Sequence, residues 1–142
     1  MIARLKDPLV GLKYFAAVFA LTAPGMLLAA GECDKNFPDH MSAVHCINAG
    51  NKTLDDQLNV VYKAALAARP EVDQWDSRKN REQLRKSQRA WLKFKEENCT
   101  LIGGLEGGNN LAVSEMDAQC EQTEITERIK FLQRVSKGEF GG

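Results

Sequence analysis

Two cysteines and two histidines lie close together in the first third of the chain. Cys33, His40, His45 and Cys46 form a C-x6-H-x4-H-C run. Thiolate and imidazole are the donors zinc takes, so the run is a conceivable metal set. Its spacing fits no closed finger. Other chemistry is harder to find. The sequence holds no Ser-x-x-Lys and no H-E-x-x-H motif. Gly103-Gly104 and Gly107-Gly108 lack the preceding strand that a phosphate-binding loop requires. Glu96 and Glu97 are adjacent, so on a helix they point to different sides and cannot flank one glycosidic bond. No metal, no cofactor, no catalytic residue and no enzymatic activity are expected.

The first thirty-one residues decide what the thiols do. Arg4, Lys6 and Lys13 stand against a single Asp7, an apolar run covers 14–23, Pro24-Gly25 breaks it, and Ala29-Ala30-Gly31 ends it. A basic start, a short apolar core and a small-x-small end describe a secretory signal peptide, cut after Gly31. The run is too short and too broken for a membrane span. Glu32 precedes Cys33 where a lipoprotein signal needs a small residue. Export leads to an oxidising compartment, periplasmic or secreted. The four cysteines Cys33, Cys46, Cys99 and Cys120 then read as two disulfides rather than thiol nucleophiles or metal ligands. Each bridge contributes about 3 kcal/mol by constraining the unfolded chain.

The whole chain has 19 Lys plus Arg and 19 Asp plus Glu among 142 residues. That balance excludes a dedicated nucleic-acid binder, which needs basic excess to displace counterions. Loss of residues 1–31 removes three of the bases and one acid, leaving 16 basic and 18 acidic residues in 32–142.

The elements that position these residues are helical. Hydrophobic spacing predicts a first helix from His40 to Ala68, ended by Arg69-Pro70, with Asn48 to Thr53 as a possible break. A second helix runs from Asp76 or Ser77 as cap to Ile102 and stops at Gly103-Gly104. A third spans Ser114 to Ser136, and the tail from Lys137 is loose. Short connections imply an all-α, antiparallel up-down-up three-helix bundle stapled by two disulfides. Residues 32–142 form its one domain.

The second helix is the informative one. Leu84, Gln88, Trp91, Lys95, Asn98 and Ile102 share one stripe at 100° per residue. Arg78, Arg81, Arg85, Lys86, Arg89 and Lys93 occupy the opposite side. The third helix answers with Glu115, Asp117, Glu121, Glu124 and Glu127. The basic side is either a surface for an anionic partner or a solvated face neutralised by its neighbours. Gln88, Trp91, Lys95 and Asn98 sit where a bundle places Leu or Ala. They form either a structural hydrogen-bond network or a recognition cleft around Trp91. Residues 103–110, including Gly107, Gly108, Asn109 and Asn110, form either a simple turn or a protruding loop suited to entering a partner's cleft.

The chain also resembles a known family. Leu58-Asn59-x-x-Tyr62, then Ser87-Gln88-Arg89-Ala90-Trp91-Leu92-x-Phe94-Lys95-x-x-x-Cys99, then Gly104 to Gly108, Cys120 and Arg128-x-x-x-Leu132 resemble the LprI-type secreted domains, named for a lysozyme inhibitor. Departures from the pattern are Lys95 in place of Arg, Ile125 in place of Thr and Asn109 in place of Ser. The resemblance implies a helical, disulfide-bonded periplasmic protein that binds another protein without catalysis. By extension it implies lysozyme inhibition, which requires covering the enzyme's two catalytic carboxylates; a loop donating hydrogen bonds, such as the Asn109 and Asn110 side chains, or a Lys or Arg, would do so. Many lysozymes are basic, so acidic helix three could steer association. The competing reading is an immunity or chaperone-like binder of another envelope protein or a delivered toxin. Pairing Cys33 with Cys46 and Cys99 with Cys120 closes two short loops without crossing the bundle and is preferred. Cys46–Cys99, at similar heights on antiparallel helices, is the alternative.

Overall fold

The computed structural model describes Cys33 and residues 37–68 and 77–140. They form three helices, α1 (His40–Ala67), α2 (Ser77–Glu106) and α3 (Asn110–Lys137), with no strand among the described residues. The signal segment, the Arg69-Pro70 stop and the Asp76 cap lie outside them.

The Asp39 side chain starts α1 by accepting from the Ser42 N–H at 2.8 Å, which satisfies one orphan donor of the first turn. Asn48 to Thr53 does not break the helix. Within this stretch Gly50 and Asn51 face α3: buried Asn51 donates through Nδ2 to the Ala118 carbonyl at 2.9 Å. A Cβ on Gly50 would lie 3.4 Å from Gln122 Nε2, in ordinary contact.

Two boundaries differ from expectation. α2 does not stop at Gly103-Gly104 but continues to Glu106. A Cβ on Gly103 would sit 2.9 Å from the Val113 carbonyl oxygen and 3.3 Å from Asp117 Cβ. Gly103 is therefore a point of close approach between α2 and α3, and helix–helix packing offsets its poor helix propensity. The loop of 103–110 shrinks to Gly107, Gly108 and Asn109. Both glycines have positive φ, 70° and 101°, the left-handed region that glycine enters without a Cβ clash. Asn109 caps α3, its Oδ1 accepting from Leu111 N–H and Ala112 N–H at 3.0 Å each. The cap starts α3 before Ser114. At the far end, Gly138 at φ 75° directs its N–H to the carbonyls of Arg134 and Val135. The start of the tail is not loose. Phe140 packs on Phe131 with ring centroids 5.5 Å apart, and the Arg134 Nε donates to Glu139 at 3.1 Å.

α3 is the central element. It packs along both other helices, while α1 and α2 scarcely meet. Contacts rise together along α1 and α3, from His40–Glu115 to Asn51–Ala118, so those two run parallel. They run in opposite senses along α2 and α3, from Gln88–Arg128 to Lys95–Glu121. This is the expected up-down-up order. Leu54, Leu58 and Ala65 of α1 meet Ile125, Ile129, Leu132 and Val135 of α3, and α2 adds Leu84 to the same cluster. Both expected disulfides are present: Cys33–Cys46 and Cys99–Cys120 have Cα atoms 5.8 and 5.4 Å apart.

Candidate functional site

The polar stripe of α2 faces α3. Gln88 is buried, and its Oε1 accepts from Arg128 Nε at 2.9 Å. Ser87 Oγ accepts from another nitrogen of the same guanidinium at 3.1 Å. The guanidinium also lies 5.5 Å from the centroid of the Trp91 ring and 4.8 Å from that of Phe131. Trp91 packs against the apolar cluster beneath. Arg128 is 9% exposed and pairs with no carboxylate among the described residues. Burial accordingly pulls its pKa down from the ordinary arginine value, with Tyr62 opposing.

Two turns along the seam from Gln88, Lys95 Nζ donates to Glu121 at 2.6 Å, with only 13% of the lysine side chain exposed. Asn98 Nδ2 reaches Glu124 at 3.5 Å. Cys99–Cys120 then closes the seam covalently. Two aspartates share the surroundings of Lys95. Desolvation raises the pKa of Asp117, Glu121 adds to the rise and Lys95 opposes it. Desolvation likewise raises Asp55 on α1, against the pull of Lys95 and with a further push from Glu121.

The sequence-predicted residues thus fall into two groups. Gln88, Trp91 and Lys95 lie together in the α2–α3 seam, where each has a partner on α3. Gly107, Gly108, Asn109 and Asn110 form the turn beyond the disulfide. Eleven residues of helix separate Lys95 from Glu106, about 17 Å along the axis, so the groups are not one site. The basic side of α2 stays turned to solvent: Arg85, Lys86, Arg89 and Lys93 are exposed. Among the described residues one ion pair, Lys95–Glu121, crosses from α2 to α3.

Sequence reasoning missed the part played by Arg128. Its signal was available, since Arg128 interrupts the Ile125, Ile129, Leu132 stripe of α3 on the core side. The Cys33 and Cys46 sulfurs are joined to each other, so neither is a thiolate for metal or nucleophilic chemistry. The arrangement offers hydrogen-bond donors, acceptors and charges held on a braced frame.

Comparison with known proteins adds one match. A family model described as "Lysozyme inhibitor LprI" matches residues 33–132. That span runs from the first cysteine to the buried Leu132. No curated protein and no solved structure matches the chain.

Proposed function

Because the chain belongs to the LprI family, we propose that it is an exported, non-catalytic binding domain whose partner is a lysozyme. The observation that carries this reading is the family match over nearly the whole helical domain. The signal-like start of the chain and its two disulfides support an extracytoplasmic location. No helix among the described residues is long and apolar enough to cross a membrane.

Inhibition requires that something occupy the enzyme's cleft and cover its two carboxyl groups. The turn Gly107-Gly108-Asn109 is the candidate, because it stands at the end of a helical hairpin whose base is fixed by Cys99–Cys120. A braced turn loses little conformational entropy on docking. Asn109 commits its Oδ1 to the helix cap and keeps its Nδ2 as a donor; Asn110 adds a second amide. Gln88, Trp91 and Lys95 support the hairpin from below.

The test is an inhibition assay with the oxidised protein against chicken- and goose-type lysozymes. Loss of lytic activity at micromolar protein, weakened by Asn110→Ala, is the expected result. Full lytic activity of both enzymes at that concentration would exclude the reading.

A further inference from the structure

The up-down-up order brings three helix ends to one pole: the start of α1, the end of α2 and the start of α3. Both disulfides lie there. So does a marked bias of charge. Segments 37–51 and 96–120 carry Asp39, Glu96, Glu97, Glu106, Glu115 and Asp117 and no Lys or Arg. Every Lys and Arg among the described residues lies in the other half, at 52–68, 77–95 and 121–140. The two halves of the molecule therefore carry opposite fields, which the overall charge balance conceals.

The same pole exposes large apolar side chains. Leu105 is 72% exposed, Leu101 57% and Met41 51%, with Phe37 and Leu111 at 40% each. Phe37 and Leu111 line one groove, and Leu101 and Leu105 lie one turn apart on α2, so this end offers apolar contact area. Between Phe37-Pro38 and Leu111 lies an open groove of about 580 Å³, with Ala43, His40 and Glu115 also on its lining. Phe37, Pro38, Ala43 and Leu111 are the apolar part of its lining, and Asp39 and Glu115 place two carboxylates there. Glu115 is hydrogen-bonded to the exposed His40 ring, which approaches from α1, and its other oxygen accepts from Gln119 Nε2 at 3.1 Å.

We infer that this acidic pole, which carries no Lys or Arg among its described residues, is the docking face for a cationic protein, and that the Phe37–Leu111 groove takes one Lys or Arg side chain of that partner. The aliphatic stem lies between Phe37 and Leu111, and the charged head replaces His40 at Glu115. Leu101 and Leu105 extend the apolar contact beside the 107–109 turn. The acidic field speeds encounter with a basic surface and repels acidic ones. The inference rests on the lysozyme reading only for the identity of the partner; the chemistry of the groove stands apart from it.

The experiment is an amide NMR titration of the oxidised protein, at low salt, with hen lysozyme and separately with N-acetyl-argininamide. Lysozyme is expected to shift residues 37–46 and 101–117. Glu115→Lys and Leu105→Lys should each weaken its binding at least tenfold, and Arg89→Glu at the other pole should not weaken it. The argininamide shifts should centre on the groove and vanish in Glu115→Gln, a variant that keeps side-chain shape. Lysozyme shifts on the basic side of α2, or binding unchanged by Glu115→Lys and Leu105→Lys, would overturn the inference and leave the lysozyme reading standing. Argininamide in the groove without lysozyme binding would sustain the inference and remove lysozyme as the partner. No shift with either probe would overturn both.

Discussion

The two seams along α3 are built from different materials. The α1 seam is an apolar zipper of Leu54, Leu58, Ala65, Ile125, Ile129, Leu132 and Val135. The α2 seam is a ladder of polar rungs, Gln88–Arg128, Lys95–Glu121 and Asn98–Glu124, ended by a disulfide and a glycine contact. Apolar contact is non-directional and supplies most of the free energy of burial. Polar rungs add little net stability and penalise every mismatch, so they fix one register. The contrast accounts for the covalent link: the seam with less hydrophobic contact is the one that also closes on Cys99–Cys120. The braced end is also where the turn and the acidic pole sit, the end at which we propose that a partner docks.

The contrast can be broken from either side. The largest effect is expected in the apolar seam. Leu132 is fully buried, so Leu132→Ala should cost about 2–5 kcal/mol in denaturant unfolding. In the polar seam, Gln88→Leu removes the acceptor of a buried guanidinium and should cost about 1–3 kcal/mol. Adding Arg128→Met to that variant should recover most of the loss, because an apolar pair of similar volume replaces a charge left without its partner. Equal loss in the single and double variants would show that Arg128 contributes through its aromatic stacking instead.

The two glycines of α2 should split in sign. Gly103→Ala forces a Cβ to within 2.9 Å of the Val113 carbonyl oxygen and should lower the melting temperature. Gly104 has open space around its Cβ position, and Gly104→Ala should stabilise by about 0.5–1 kcal/mol. The smallest effect concerns pH. Asp117 has its folded pKa raised above the unfolded value, mainly by desolvation. The folded state then takes up its proton first as pH falls, so this group penalises folding above the raised pKa and ceases to do so below about 4. Asp117→Asn should therefore stabilise slightly at neutral pH, by a few tenths of a kcal/mol for so solvated a group, with the gain disappearing near pH 3. A gain that persists at pH 3 would assign it to something other than charge.

Much of this was legible in the sequence. Hydrophobic spacing placed the ends of α1 closely, and the stretch 48–53 left open as a break stays helical because Ile47, Asn51 and Leu54 keep the buried period through it. The disulfide pairing followed from loop closure. The α2–α3 turn was not legible in full. Two consecutive glycines read as a stop, and a glycine needed for close helix approach looks the same in sequence as a glycine that ends a helix. The cue was Asn109, a good cap residue followed by apolar spacing. Nor was the pairing of the polar stripe readable, since Gln88 and Lys95 find partners on a helix some thirty residues away. The charge division between poles was hidden for a similar reason. It appears only when two separate stretches lacking Lys and Arg, 37–51 and 96–120, are folded to the same end.

Native-state hydrogen exchange tests the two-seam account most directly. It should be measured on the intact protein and on a Cys99→Ala/Cys120→Ala variant. Without the bridge, amides of α2 are expected to exchange through a partial opening at lower free energy than those of α1 and α3, which stay protected by the apolar seam. Uniform loss of protection across all three helices would contradict the account and make the molecule one cooperative unit with a single core.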